Sequence, residues 1–175
     1  MPPLVIEIVL PRDRRQLGEL SLLAADGGIF AGPFVAYGKA DNAKAAANGN
    51  RARDPLFLWG DTPEGGYAVC EVVRTGGDTR YPSANYGPHA ALSLDPVEGQ
   101  ALQSKLNGRA GLYIHSGRPS DSGGLRPTYG CVRLSDDDML ALLEAMTQAT
   151  GAADFCAIPL EALSVRVLPG KATAA

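Results

Sequence analysis

The chain has 175 residues, of which 45% are hydrophobic and 20% are charged, a balance typical of one globular domain with short appendages. Its net charge of −3 lacks the positive excess of proteins that bind nucleic acid, and no apolar run approaches the roughly 20 residues of a membrane span. The 21 glycines and 13 prolines favour short strands joined by tight turns, so a mainly β domain is expected.

The first predicted elements are strands. Residues 4–10 form an apolar, strand-like segment. Residues 18–23 and 29–37 flank the Asp-Gly-Gly segment 26–28, a turn signal between two apolar runs, so they are expected to form a hairpin. Residues 39–54 contain mostly Ala, Asn, Lys and Arg without helical periodicity, which indicates a flexible insertion, either a solvated loop or a frayed helix.

Two further strands are predicted on either side of the glycine-rich segment 60–66, at residues 55–59 and 67–74. Residues 76–88 follow, and they are rich in Gly, Pro, Asp and Tyr. This composition predicts a long irregular loop, and long loops often carry function.

Strands and helices alternate in the second half of the chain. Residues 89–94, 111–115 and 164–168 are short strand candidates, and residues 96–106 are predicted to form one helix. The clearest helix begins after Ser135, whose hydroxyl is expected to cap it, and its apolar side chains recur at helical spacing at Met139, Leu142, Leu143 and Met146.

The acidic run Asp136–Asp138 is interpreted as part of this helix start, where carboxylates favour the positive end of the helix dipole. No metal site is predicted, because the two histidines are far apart and no cysteine pair has the spacing of zinc ligands. No glycine-rich motif indicates a nucleotide cofactor.

The three cysteines, Cys70, Cys131 and Cys156, are too few and odd in number for a disulfide framework. Cys70 and Cys156 stand in apolar segments and are predicted to be buried core residues. His89 opens a predicted strand and is expected to be structural. These assignments leave Cys131 and the second histidine, His115, as the pair to weigh for chemistry.

His115 ends a predicted strand, and Cys131 follows sixteen positions later, directly after Gly130. The intervening loop is long enough to bring the thiol and the imidazole together, as activation of a cysteine nucleophile requires. The N–H groups around Gly130 would then face a developing oxyanion. Spacing alone leaves the alternative open, in which Cys131 is a buried apolar residue and His115 a structural one. Four nearby residues are expected to line or cover the cleft: Tyr113, Arg118, Asp121 and Arg126.

The segment Ile114-His115-Ser116, together with Thr-Tyr-Gly-Cys-Val-Arg at 128–133, resembles the hallmark of the L,D-transpeptidase catalytic domain family, of the YkuD type. Further similarities are the segment 61–67, which resembles the TPxGxY turn of the family, Tyr-Gly-Pro at 86–88, and the Gly-Lys hairpin end at 35–39. In order, these motifs cover residues 18–168.

The resemblance implies a single-domain β-sandwich, mainly β with α (α+β), with one or two short helices. The catalytic domain would span residues 18–168, preceded by a lead-in strand at 1–17 and followed by a tail at 169–175. The implied reaction is acyl transfer on peptidoglycan stem tetrapeptides. A cysteine attacks the carbonyl between the L- and D-centres, D-Ala leaves, and the acyl group passes to an amine, forming a 3→3 cross-link, or to water.

Carried over by position, the resemblance implies that Cys131 is the nucleophile, that His115 is the general base and acid, and that the Ser116 carbonyl orients the imidazole. The N–H groups of Tyr129, Gly130 and Cys131 would stabilise the oxyanion, and Arg133 would hold a substrate carboxylate. No cofactor is implied. The partners are therefore expected to be peptidoglycan stem peptides.

Two features depart from the family pattern. Tyr129 stands where many members have histidine, which puts any role of that histidine in doubt. The sequence also shows no signal peptide, although the family implies a periplasmic or cell-wall location, so a cytoplasmic protein or export by a specialised secretion system stays open. The alternatives are a non-catalytic peptidoglycan-binding module of the same fold and an antibacterial cell-wall effector in which hydrolysis dominates.

Overall fold

The computed structural model describes residues 3–170, so the last five residues of the predicted tail lie outside the described part. Its strands, in chain order, are β1 (Leu4–Leu10), β2 (Gly18–Leu23), β3 (Ile29–Ala36), β4 (Gly65–Arg74), β5 (Ala90–Pro96), β6 (Leu112–His115), β7 (Val132–Arg133) and β8 (Leu163–Pro169). Its α-helices are α1 (Asn42–Ala47), α2 (Ser83–Tyr86), α3 (Gly99–Leu106) and α4 (Asp136–Thr150), and two 3-10 helices cover Phe155–Ala157 and Leu160–Ala162.

The eight strands of the described residues form one sheet in the order β3-β2-β1-β8-β4-β5-β6-β7. The pairs β1–β8 and β6–β7 are parallel, and the other neighbours are antiparallel. Tyr37 follows β3 and exchanges two backbone hydrogen bonds of 2.9 Å with Arg133 in β7. The two ends of the sheet therefore meet, which gives a nearly closed barrel and confirms a mainly β fold with α-helices.

The core follows the period of each element. β1, which lies between β2 and β8, alternates buried and half-buried residues along its whole length. In α4, the Ser135 hydroxyl accepts from the Asp138 N–H, and Gly151 ends the helix in the left-handed conformation at φ 69°. The four apolar residues predicted to form the inner stripe of this helix are all buried. The cap and the spacing thus predicted α4 correctly.

One prediction about local structure was wrong, and two segments contain short helices. Residues 55–59 form consecutive turns and no strand, because side chains from elsewhere bond the carbonyls that a neighbouring strand would have bonded. The insertion at 39–54 contains α1, which Asp41 caps through the Lys44 N–H. The loop at 76–88 contains α2. Both helices are too short to show the apolar periodicity by which a helix is recognised in a sequence. The described residues therefore contain four α-helices, where one or two were expected.

Cys70 and Cys156 are exposed, which corrects their prediction as core residues. The register of β4 against β5 shifts between Val69 and Glu71, and the alternation of buried and exposed side chains breaks at the same place. Cys70 follows buried Val69 and so has an outward position in the alternation, where it stays unpaired at this β-bulge. Cys156 lies in a surface 3-10 helix.

Candidate active site

Cys131 and His115 line one cavity of about 410 Å³. His115 is the last residue of β6, and Cys131 directly precedes β7. Because β6 and β7 pair in parallel, with Ile114 opposite Val132 and His115 opposite Arg133, the loop between them returns to the start of β7 and places Cys131 directly before this pairing. The Cys131 thiol is half-buried and lies 3.7 Å from the Gly111 carbonyl oxygen.

The His115 imidazole is buried and held in one orientation. Its Nδ1 lies 2.7 Å from the Ser116 carbonyl oxygen. Since a carbonyl only accepts hydrogen bonds, Nδ1 carries the proton and Nε2 presents its lone pair. The same carbonyl accepts from Arg133 Nη1 at 3.1 Å, and the Tyr86 ring packs 5.0 Å from the imidazole. The imidazole is therefore oriented as a general base.

Both members of the pair are uncharged at neutral pH. Burial, and then the Arg133 guanidinium, lower the pKa of His115 to about 4. Burial also raises the pKa of Cys131 to about 11, although a hydrogen bond from the Tyr113 backbone and the nearby Arg109 and Arg133 act in the opposite direction. The resting site is thus a thiol beside a neutral imidazole, and the proton moves during nucleophilic attack.

The buried imidazole predicts a loss of stability in acid. The unfolded chain binds a proton at the ordinary histidine pKa of 6.5, whereas folded His115 binds it only near pH 4. Stability from this residue is therefore complete above pH 6.5 and falls by about 3 kcal/mol as the pH drops to 4. Urea unfolding from pH 7.5 to 4 should show this fall in the native protein and lose it in His115→Gln. Parallel pH curves for the two proteins would contradict the burial of a neutral imidazole.

Two threonines, which were not predicted as site residues, hold the backbone at Cys131. Thr62 Oγ1 donates to the Gly130 carbonyl at 2.9 Å, and Thr128 Oγ1 donates to the Cys131 carbonyl at 2.9 Å. The Gly130 N–H was expected to stabilise an oxyanion. It donates instead to Thr128 Oγ1 at 2.9 Å, so it is not free for that role. The N–H groups of Tyr129 and Cys131 are the remaining predicted donors.

Arg109 packs against the segment that contains Gly130. It was also not predicted as a site residue. Its guanidinium donates to the carbonyls of Gly60 and Asp61 at 2.7 and 2.9 Å. Gly130 passes over it with φ 117°, and a Cβ atom there would lie 1.9 Å from Arg109 Nη2 and 2.5 Å from the Gly60 oxygen. Glycine is therefore required directly before Cys131, by its backbone angle and by the lack of space.

Gly130→Ala should destabilise the protein by roughly 2–5 kcal/mol, since it adds a collision to the cost of the backbone conformation. Gly123→Ala is the matched control, because Gly123 also has positive φ, 85°, but has no atom within 4 Å of the added Cβ. Thermal unfolding of both variants measures the difference. Equal losses of stability would show that the contact of Gly130 with Arg109 and Gly60 does not matter.

Arg133 is a buried cation on the wall of the cavity, with 5% of its surface exposed. Its Nη1 and Nη2 donate to the carbonyls of Ser116 and Asn85. Within residues 3–170 its Nε has no hydrogen-bond partner and no carboxylate lies within 4 Å of it. Burial and Arg126 lower the pKa of Arg133 to about 10, so it is charged at pH 7. The cavity thus offers an unpaired positive charge to an anion.

The other predicted cleft residues are separated by the structure. Arg126 and Tyr129 line the cavity with Cys131, whereas Arg118 lines a second cavity of about 310 Å³. Asp121 lines neither. Tyr113 lies outside the lining, where its hydroxyl is 3.4 Å from that of Tyr81 and its ring packs on Tyr86. Asn85 and Tyr86 come from the loop at 76–88 that was expected to carry function, whereas four lining residues come from segments that the sequence did not single out: Asp41, Lys44, Leu58 and Trp59.

The described residues contain no helix long and apolar enough to cross a membrane, and within 3–170 no three His, Cys, Asp or Glu residues cluster as metal ligands would. In comparisons with known proteins, the model of the L,D-transpeptidase catalytic domain family, YkuD, matches residues 9–163. A search of curated proteins finds no match. The matched range contains Cys131, His115 and all the residues named above as lining the same cavity.

Proposed function

The chain belongs to the L,D-transpeptidase catalytic domain family, whose activity is directed at peptidoglycan, and from this premise we propose that it is a cysteine acyltransferase of peptidoglycan stem tetrapeptides. The observation that carries the proposal is that Cys131 and His115 line the same cavity. The His115 imidazole is oriented there by the hydrogen bond between its Nδ1 and the Ser116 carbonyl. We further propose that the protein acts where this substrate is found, in the periplasm or cell wall.

In the proposed first step, the Cys131 sulfur attacks the carbonyl carbon between the third residue and D-Ala, while His115 Nε2 takes the thiol proton. The negative charge passes to the carbonyl oxygen, near the N–H groups of Tyr129 and Cys131. The C–N bond then breaks, the D-Ala nitrogen takes the proton from the imidazolium, and a thioester is left on Cys131.

In the second step, an amine or a water molecule attacks the thioester, and His115 Nε2 takes its proton. The carbon–sulfur bond breaks, and the proton returns to the Cys131 sulfur. An amine from a second stem gives a 3→3 cross-link, whereas water gives a tripeptide. Both outcomes use the same residues, so they differ only in which nucleophile reaches the thioester.

The unpaired charge of Arg133 is proposed to bind the carboxylate of D-Ala, because a guanidinium forms two parallel hydrogen bonds with a carboxylate. Arg133→Lys should raise KM for the tetrapeptide by roughly 10–100-fold, the worth of a hydrogen bond between charged groups. A tetrapeptide that ends in a carboxamide is the control substrate. The native protein should disfavour it, and the variant should discriminate less between the two peptides, because lysine keeps the charge but not the paired donors. An undiminished preference for the carboxylate in the variant would assign that group to another residue.

The test of the proposed function is mass spectrometry of purified disaccharide-tetrapeptide after incubation with the native protein and with Cys131→Ala. Tripeptide from the native protein alone indicates an L,D-carboxypeptidase, and a 3→3 dimer indicates a transpeptidase. In parallel, a carbapenem should acylate Cys131 and leave Cys70 and Cys156 unmodified. Unchanged substrate and three unmodified thiols, with retained binding to sacculi, would instead support the non-catalytic binding module.

A further inference from the structure

An exposed apolar surface lies at the rim of the catalytic cavity. It consists of Phe57, Leu58, Trp59 and Tyr129, here called the aromatic platform. Phe57, Leu58 and Tyr129 are 50%, 52% and 56% exposed. The rings of Trp59 and Tyr129 pack 5.0 Å apart at 60°. Leu58, Trp59 and Tyr129 also line the cavity that contains Cys131, so the platform is continuous with the catalytic site.

The loop that carries the platform is fixed by polar side chains. Asn50 Nδ2 donates to the carbonyls of Asp54 and Leu58 at 3.0 and 3.1 Å. Asn107 Nδ2 donates to the Leu56 carbonyl at 3.1 Å, and Arg109 bonds the carbonyls of Pro55, Gly60 and Asp61. These bonds satisfy the backbone, while the apolar side chains remain in solvent.

Trp59 itself has φ 66°, a conformation that is unfavourable for a bulky residue and that persists only where its surroundings impose it. An apolar surface that is exposed, held in place and adjacent to a reaction site is typical of a binding surface. A loop that is already held in its binding conformation loses little conformational entropy when a ligand binds.

The chemistry of the platform selects the part of the substrate that it would bind. Its four side chains carry no charge, so they would bind an uncharged part of the substrate. The carboxylate of D-Ala is already assigned to the Arg133 cation. The donor substrate is also attached to a disaccharide, whose ring C–H groups form an uncharged face. The negative faces of Trp and Tyr rings attract such partially positive C–H groups.

We propose that the aromatic platform binds the disaccharide of the donor, so that this protein prefers stems that are still attached to glycan. The inference rests on the proposed function. It assigns to Tyr129 a role for its ring, in addition to the role of its backbone N–H.

The test measures binding by calorimetry to Cys131→Ala protein, with disaccharide-tetrapeptide and free tetrapeptide as ligands. Trp59 is the only tryptophan of the chain, so its fluorescence reports whether the ligand covers the platform. We expect the disaccharide to raise affinity at least tenfold and to shift the Trp59 emission. The double variant Phe57→Ala/Tyr129→Ala should lose this preference. Phe30→Ala, which removes an aromatic side chain of 42% exposure on β3, should keep it.

Equal affinities for the two ligands would overturn the proposal, and so would a preference that survives the double variant. Failure of both ligands to bind would overturn it as well. Turnover of disaccharide-tetrapeptide by the native protein separates these three outcomes from failure of the proposed function. If disaccharide-tetrapeptide is converted but no preference depends on the platform, the acyltransferase proposal stands and the platform proposal falls.

Discussion

Cys131→Ala is expected to lower the turnover of disaccharide-tetrapeptide by at least about 10⁴-fold, because the proposed thioester cannot form without the thiol. The fold should not change, since the thiol is half-buried and its contact with the Gly111 carbonyl is long, at 3.7 Å. Product formation measured by mass spectrometry gives the loss of activity, and thermal unfolding checks the fold.

Cys70→Ala/Cys156→Ala provides the matched control, because both thiols are exposed. This double variant should retain the activity of the native protein and still be labelled once by iodoacetamide. The labelling rate of Cys131 should rise with pH toward its pKa of about 11, since the thiolate is the reactive form. Activity that survives Cys131→Ala would exclude a cysteine acyl intermediate.

His115→Gln should reduce kcat by about 10²–10⁴-fold, the usual contribution of a general acid–base residue. Glutamine has a side-chain N–H that can donate to the Ser116 carbonyl in place of Nδ1, but it has no basic nitrogen to take the thiol proton. Steady-state kinetics with the tetrapeptide measure the loss. Because Cys131 is uncharged at rest, removal of the base should slow acylation itself.

The other histidine of the chain, His89, supplies the control. His89 is half-buried and precedes β5, and His89→Gln should leave kcat unchanged. In the native protein, kcat/KM should fall below about pH 4, where the His115 imidazole gains its proton. A kcat for His115→Gln within tenfold of the native value would assign the proton transfer to a different group.

The sequence singles out Cys131 and His115 as the candidate pair because their signal is local. The Ile-His-Ser segment and the Thr-Tyr-Gly-Cys-Val-Arg segment each lie in a few consecutive residues, and parallel pairing of β6 and β7 brings them together. Arg109 was not predictable in this way, because it acts through carbonyls that lie 48 to 54 residues earlier in the chain. Trp59 was missed for a related reason, since residues 55–59 have the apolar composition of a strand.

The sequence by itself determined the elements whose signals are periodic or local. A short apolar run indicated β1, a serine cap with helical spacing indicated α4, and two short motifs singled out Cys131 and His115. Only the tertiary structure decided the protonation of that pair, the engagement of the Gly130 N–H with Thr128, and the exposure of Cys70. The physical reason is that desolvation, strand register and hydrogen bonding depend on groups that meet only when distant segments pack together. The chemical groups of the site are therefore read from the chain, whereas their charge and orientation arise from the fold around them.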